Sequence, residues 1–180
     1  MDQSMKYEKG SGALRMLLVL IIVFAGAAFL YRSWHSGKSV SKKLHGYTPP
    51  FTLKDTRGEE FSSYRLIGKP AVINFFTTWC PSCRAEIPGF ITVYEEYKDK
   101  GFELIGIALD GDAATVSNFI NAQKINYMVL MGNMETVRTY GGFTAVPMTF
   151  FVGKDGKINK IMAGYISKEV FEMEVQKLMN

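Results

Sequence analysis

The chain changes hydrophobic rhythm twice along its length. From Met16 to Tyr31 it runs without a charge, through Leu17-Leu18-Val19-Leu20-Ile21-Ile22-Val23-Phe24 and on to Phe29-Leu30-Tyr31. With Ala13 and Leu14 added, the run reaches the lower limit of the ~20 apolar residues that span a bilayer as a helix. Arg15 and Arg32 sit where long side chains snorkel to the two interfaces, and Tyr31 and Trp34 where an aromatic belt lies. This predicts a short tail at 1–12, a transmembrane signal anchor at 13–32, and a Ser/Gly/Lys/His linker at 33–46. Ala25-Gly26-Ala27 fits a small-residue cleavage site. Because the apolar run continues past it, an uncleaved anchor is expected.

Beyond the linker, strand and helix patterns alternate. Phe51–Lys54 and Glu60–Ser62 flank Asp55-Thr56-Arg57-Gly58, the pattern of a β-hairpin. Ala71–Phe76 and Leu104–Leu109 are nearly continuous apolar runs of strand length, as in strands buried on both faces. Met148–Val152 and Ile158–Ala163 are shorter strands joined through Lys154-Asp155-Gly156. Between them, Ile87, Phe90, Ile91 and Tyr94 recur at helical spacing. So do Val116, Phe119 and Ile120 behind Asp112, a candidate N-cap. Asn133 caps a short helix that ends at Gly141-Gly142, and Phe171, Val175 and Leu178 mark a last one. An optional strand before Asn133 completes the order ββ–β–α–β–α–(β)–α–β–β–α. That is an α/β domain over 47–180, long enough to bury a core without disulfides.

Charge changes the picture once it is divided. The net +4 and pI near 9 invite a nucleic-acid reading. Residues 1–45, however, hold seven Lys/Arg against two acids, and the remainder holds 14 against 15. The basic excess surrounds the apolar run and the body is nearly neutral, so no nucleic-acid partner is expected. The flanking charges leave the orientation of the anchor open. The two His, His35 and His45, both precede the body. Cys–His and Ser–His catalysis and His-based metal sites are therefore excluded there.

The chemistry concentrates in Trp79-Cys80-Pro81-Ser82-Cys83, which follows a strand and opens a helix. These are the only two Cys. Half a zinc site would need two more ligands that the body does not offer. A purely structural disulfide across three residues would remove little loop entropy. A redox pair fits: Cys80 at the helix start meets free N–H groups and the positive dipole end, which favour thiolate. Pro81 suits the first helical position. Cys83, one turn in, is expected to be more buried and to act second.

Taken with Glu86-Ile87-Pro88 and the distant Ala145-Val146-Pro147-Met148-Thr149-Phe150, the motif resembles the thioredoxin superfamily. Within it, the chain is similar to the membrane-anchored TlpA/ResA-like thiol–disulfide oxidoreductases, from Gly46 to Asn180 and through the anchor. The resemblance implies a thioredoxin fold with an N-terminal β-hairpin and an inserted αβ unit around Asp110–Met131. It implies Cys80 as nucleophile, Cys83 as resolving thiol, and a cis Val146–Pro147 bond facing the sulfurs. The Val146 backbone is then expected to be free to pair with substrate. Glu86 matches the acidic residue such proteins carry after the motif; a negative charge there would raise the thiol pKa values, whereas an ordinary solvated helix residue would not. Trp79 is expected to be partly core and partly a lip contacting substrate.

One departure affects redox poise: many relatives have Pro directly before the second Cys, where Ser82 stands here.

The implied activity is reduction of protein disulfides outside the cytoplasmic membrane, apocytochrome c being one such substrate. It requires no cofactor or metal beyond the Cys80/Cys83 dithiol. With no flavin or nicotinamide site, it needs an upstream membrane thiol reductant. The alternative is a thiol peroxidase of the same superfamily. Its nucleophile normally sits in a Pro/Thr-rich loop without a second Cys three residues later, a pattern that Thr77-Thr78-Trp79-Cys80 lacks.

Overall fold

The computed structural model describes residues 15–28 and 46–180. Residues 15–28 form a helix, α1, with exposed side chains. No helix among the described residues is long and apolar enough to cross a membrane. The tail at 1–12, the remainder of the expected anchor at 13–14 and 29–32, and the linker up to residue 45 lie outside the described residues.

The body forms one seven-stranded sheet in the order β2-β1-β5-β4-β3-β6-β7. Strands β1 (Thr52–Asp55) and β2 (Glu60–Ser62) make the expected hairpin. The Asp55 carboxylate closes its turn by accepting the Arg57 and Glu59 N–H groups at 2.8 and 2.9 Å. Gly58 supplies the positive φ of 86° that the turn requires. Strand β3 (Ala71–Phe76) pairs parallel with β4 (Glu103–Ala108), which pairs parallel with β5 (Met128–Met131). Strand β6 (Met148–Val152) lies antiparallel to β3 and carries β7 (Ile158–Ala163) on its other side. Strand β4 starts and ends one residue before the apolar run suggested, so Leu109 lies just past the strand end. The optional strand is real: it is β5.

Helix α2 (Pro81–Tyr97) crosses from β3 to β4 and runs through Pro88 without interruption. Helix α3 (Ala113–Gln123) starts at Asp112, whose carboxylate accepts the Ala114 and Thr115 N–H groups. Helix α3 and β5, with the loop from Asp110 that leads into them, occupy the place of the αβ unit expected around Asp110–Met131. Asn133 caps α4 (Met134–Thr139), and Ser167 caps α5 (Lys168–Met179).

The period of two along β3 sends its side chains to two separate cores. Val72 and Phe76 join Ile87, Phe90, Phe171 and Val175 beneath α2 and α5. There Phe90 and Phe171 stack at 3.9 Å between centroids. Ala71, Ile73 and Phe75 join Ile105, Tyr140 and Phe150 on the other face. Asn74, between Ile73 and Phe75, therefore points toward α2.

Candidate active site

The turn from β3 into α2 places the two thiols. Cys80 has the extended backbone of an N-cap (φ −77°, ψ 117°), and its carbonyl accepts the Arg84 N–H at 3.1 Å. Pro81 occupies the first helical position, where the missing N–H costs no bond. The Cys80 Sγ stands where a capping oxygen would, accepting the Cys83 N–H at 3.3 Å, with the Ser82 hydroxyl 3.2 Å away. The nucleophile is thus itself the helix cap. Donors that normally satisfy a helix start are aimed at a sulfur that becomes negative.

The two thiols differ sharply. Burial pushes the Cys80 thiol up, but the hydrogen bonds from Cys83 and Ser82 outweigh it and hold its pKa below the ordinary thiol value. Cys83 is fully buried, while Cys80 keeps 5% exposure. Burial first, then the bond to Cys80, pushes Cys83 far above the ordinary range, against the lowering by the Thr77 N–H; the charges of Cys80 and Glu86 add to the rise. The sulfur that titrates first is the one that faces solvent. Both cysteines are free thiols.

Glu86 is 2% exposed, which removes the possibility of a solvated helix residue. Its Oε1 accepts from Asn74 Nδ2 at 2.9 Å and its Oε2 from the Ile166 N–H at 3.2 Å. Asn74 also donates to Thr149 Oγ1 at 3.0 Å, across the β3–β6 pair in which the two residues are register partners. Burial pushes the Glu86 carboxyl up to about 8, against the two hydrogen bonds, and repulsion from Cys80 adds to the rise. The charge of Glu86 thus weighs on both thiols: it raises Cys83, and its repulsion with Cys80 is mutual.

The Val146–Pro147 peptide is cis, and Val146 reaches Cys80. The Val146 carbonyl lies 3.8 Å from Cys80 Sγ, a weak S–H contact that exists only while the thiol is protonated. The Pro147 carbonyl is tied to the Gly164 N–H at 2.9 Å.

Trp79 departs from expectation, being 73% exposed with no core component. It flanks a cleft of about 620 Å³ that Cys80, Leu109, Met134, Phe143 and Val146 also line. No lining side chain is charged. Among the described residues, no group of three or more His, Cys, Asp and Glu is arranged to hold a metal ion.

Four residues of this neighbourhood escape a motif reading. Asn74 had a signal, being the one polar side chain in the run Ala71–Phe76. Thr149 is a weaker case of the same kind in β6. Thr78 and Asp110, which bond to each other, had none.

A cis-proline loop beside a dithiol at the start of a helix, on a mixed sheet with covered faces, defines a thioredoxin-fold thiol–disulfide oxidoreductase. The chain belongs to the AhpC/TSA family, whose model matches residues 46–161, and within it is of the ResA/TlpA-like kind. It is 30% identical over 165 residues to thiol-disulfide oxidoreductase ResA of Bacillus cereus (strain ATCC 10987 / NRS 248), covering 91% of this chain and 94% of the relative. Against ResA of Bacillus subtilis (strain 168) it is 27% identical over 158 residues, covering 87% of each. Among solved structures it is similar to a thiol:disulfide interchange protein of the thioredoxin family from Chlorobium tepidum TLS. That likeness has a TM-score of 0.70 and 34% identity, and covers 75% of this chain and 97% of the other.

Proposed function

We propose that the protein is a membrane-anchored reductase of protein disulfides, working on the extracytoplasmic side of the cytoplasmic membrane, with residues 13–32 as anchor and 33–46 as linker. The observation that carries the chemistry is the Cys83 N–H placed 3.3 Å from the Cys80 sulfur, with Cys83 itself fully buried behind it. Cys80 is then the attacking thiolate and Cys83 the reserve thiol. The anchor rests on the uncharged run from Met16 to Tyr31, and the side of the membrane on the likeness to TlpA/ResA-like proteins.

The exchange balances in two steps. The Cys80 thiolate attacks one sulfur of a substrate disulfide. The substrate S–S bond breaks, the other sulfur leaves as thiolate and takes a proton, and a Cys80–substrate mixed disulfide remains. Cys83 then loses its proton and attacks Cys80 Sγ, expelling the second substrate sulfur. The substrate gains two electrons and two protons, and the protein holds a Cys80–Cys83 disulfide. An upstream membrane dithiol restores it.

Glu86, titrating near 8, changes charge in the pH range in which Cys83 must become a nucleophile. Ionised, it opposes the Cys83 thiolate; protonated, it does not. Trp79, Val146 and Pro147 form the platform on which an extended substrate segment lies beside Cys80. Apocytochrome c, whose Cys pair must be reduced before haem attachment, is the substrate class we favour.

The test is a Cys83→Ala variant that retains the anchor. It is expected to accumulate mixed disulfides through Cys80, and the reduced wild-type protein to reduce insulin and apocytochrome disulfides. Consumption of hydroperoxide with no activity on protein disulfides would instead establish the peroxidase reading. An alkaline-phosphatase fusion after Asn180 is expected to be active. Activity of a strictly cytoplasmic reporter at the same position would overturn the topology.

A further inference from the structure

The segment that presents Cys80 has few holds of its own. Of its three residues, Trp79 is exposed and the Thr77 hydroxyl is buried without a partner among the described residues. Thr78, between them, is bound at every polar atom. Its N–H donates to Asp110 Oδ2 at 2.9 Å, and its hydroxyl donates to Asp110 Oδ1 at 2.7 Å. Its carbonyl accepts from Arg84 Nη1 at 3.4 Å. The Arg84 guanidinium in turn lies over the Phe119 ring, 5.5 Å from its centroid. Asp110 and Phe119 both belong to the inserted unit.

The sheet delivers Asp110 to this place. Strands β3 and β4 pair in parallel up to Phe76 and Ala108, and the Leu109 N–H extends the ladder by donating to the Phe76 carbonyl at 2.9 Å. Counting on by two in each strand brings Asp110 opposite Thr78.

We propose that Asp110 is a positioning residue for the nucleophile. By gripping Thr78, it holds the 77–80 turn so that the Cys80 sulfur stays in the cap position of α2, under the Cys83 N–H. The inserted unit thereby has a function in the reaction: it supplies the clamp that keeps the attacking thiol aligned with the helix donors that favour its thiolate. Thr78 is two residues before Cys80, and within the turn the Cys80 N–H donates to the Thr77 carbonyl at 3.3 Å. Without Asp110, the Thr78 N–H and hydroxyl lose their part-buried acceptor and turn toward water, taking the cap residue with them.

This inference rests on Cys80 being the attacking thiol, and the experiment keeps the two apart. Asp110→Ala, Thr78→Val and Thr78→Ser are made in the full chain. Each is followed by thiolate absorbance against pH and by the rate of iodoacetamide alkylation at each cysteine. Asp110→Ala is expected to raise the Cys80 pKa and slow its alkylation at pH 7 by about tenfold, the ratio of one pKa unit. Thr78→Val, which keeps the N–H bond, is expected to do so to a lesser degree, and Thr78→Ser to restore the wild-type rate. Val152→Ala, a buried substitution in the core on the far side of the sheet, gives the comparison for lost stability alone and is expected to leave the rate unchanged.

If the Asp110→Ala titration superimposes on wild type while the melting temperature falls, Asp110 is structural only and the proposal is wrong. If Asp110→Ala does not fold, an unchanged Cys80 pKa in Thr78→Val overturns the proposal equally. Alkylation of Cys83 before Cys80 in the wild-type protein would overturn the assignment of the nucleophile itself.

Discussion

The two faces of the sheet are made by alternate residues of the same strands, yet they are built to different ends. On the face of Ile73 and Phe75, a block of aromatic rings packs together. Phe75, Tyr140, Phe143 and Phe150 meet at centroid distances of 5.0 to 6.3 Å, and the Tyr140 hydroxyl leaves the cluster to donate to the Pro49 carbonyl. On the face of Val72 and Phe76, the apolar packing surrounds a buried carboxyl, an amide, a hydroxyl and the dithiol. A polar group placed in a core is destabilising unless fully bonded. The aromatic face therefore holds the fold by packing, whereas the α2 face combines packing with a hydrogen-bonded polar network that can titrate.

The strongest test of that division is at the thiols. Cys80→Ser is expected to abolish disulfide exchange while leaving the melting temperature near wild type. Cys83→Ala is expected to stop turnover at the mixed-disulfide stage, visible as a covalent adduct on non-reducing gels. Loss of folding in either variant would mean that the dithiol also holds the α2 face together.

The next largest effect is expected on the other face. Phe150→Ala removes a fully buried ring from the aromatic block. It is expected to destabilise by about 3–5 kcal/mol in denaturant unfolding, with the Cys80 alkylation rate unchanged in the folded protein. A changed rate would show that the two faces are coupled through β3.

Glu86 separates the faces by pH. Its carboxyl is raised from 4.5 to about 8 in the folded protein. Between those values the unfolded chain releases the proton and the folded protein retains it. The contribution is thus fully present below pH 4.5 and is lost as pH rises through about 8. Stability is expected to fall across that window by at most about 1.4 kcal/mol per pH unit, and Glu86→Gln to flatten the fall. The amide keeps a single acceptor oxygen and so gives up the bond from either Asn74 or the Ile166 N–H at every pH, which makes the slope the readout, not the absolute stability. Parallel slopes in the two proteins would place the titration elsewhere.

Trp79→Ala is expected to have the smallest effect on folding, within about 0.5 kcal/mol, because the ring is exposed. It is expected to raise KM for a protein disulfide severalfold while leaving the reaction with a small disulfide unchanged. Equal effects on both substrates would remove Trp79 from the platform.

Much of this arrangement was legible in the residue pattern, and for local reasons. A strand buried on both faces is a continuous apolar run, so β3 and β6 could be read off, and β4 to within one residue. Helix starts announce themselves by their caps: Asp112 and Asn133 act as expected, and Cys80 does so with sulfur in place of oxygen. The dithiol and the distant Val146–Pro147 pair were recognisable as a motif. Trp79 misled because a large aromatic ring next to a buried thiol suggests burial, whereas the turn at the cap directs it outward.

What the chain determined by itself was therefore whatever depends on neighbours within a turn or a strand: the elements, their caps, and which cysteine opens the helix. The tertiary structure decided whatever depends on partners far apart in sequence. Asn74 meets Thr149 across 75 positions, and Thr78 meets Asp110 across 32. Glu86 reaches the Ile166 N–H across 80, which turns a helix carboxylate into a buried acid that titrates near 8. Propensity and periodicity describe one segment at a time. The desolvation and hydrogen bonding that set a pKa, or fix a nucleophile, come from the segments that close around it.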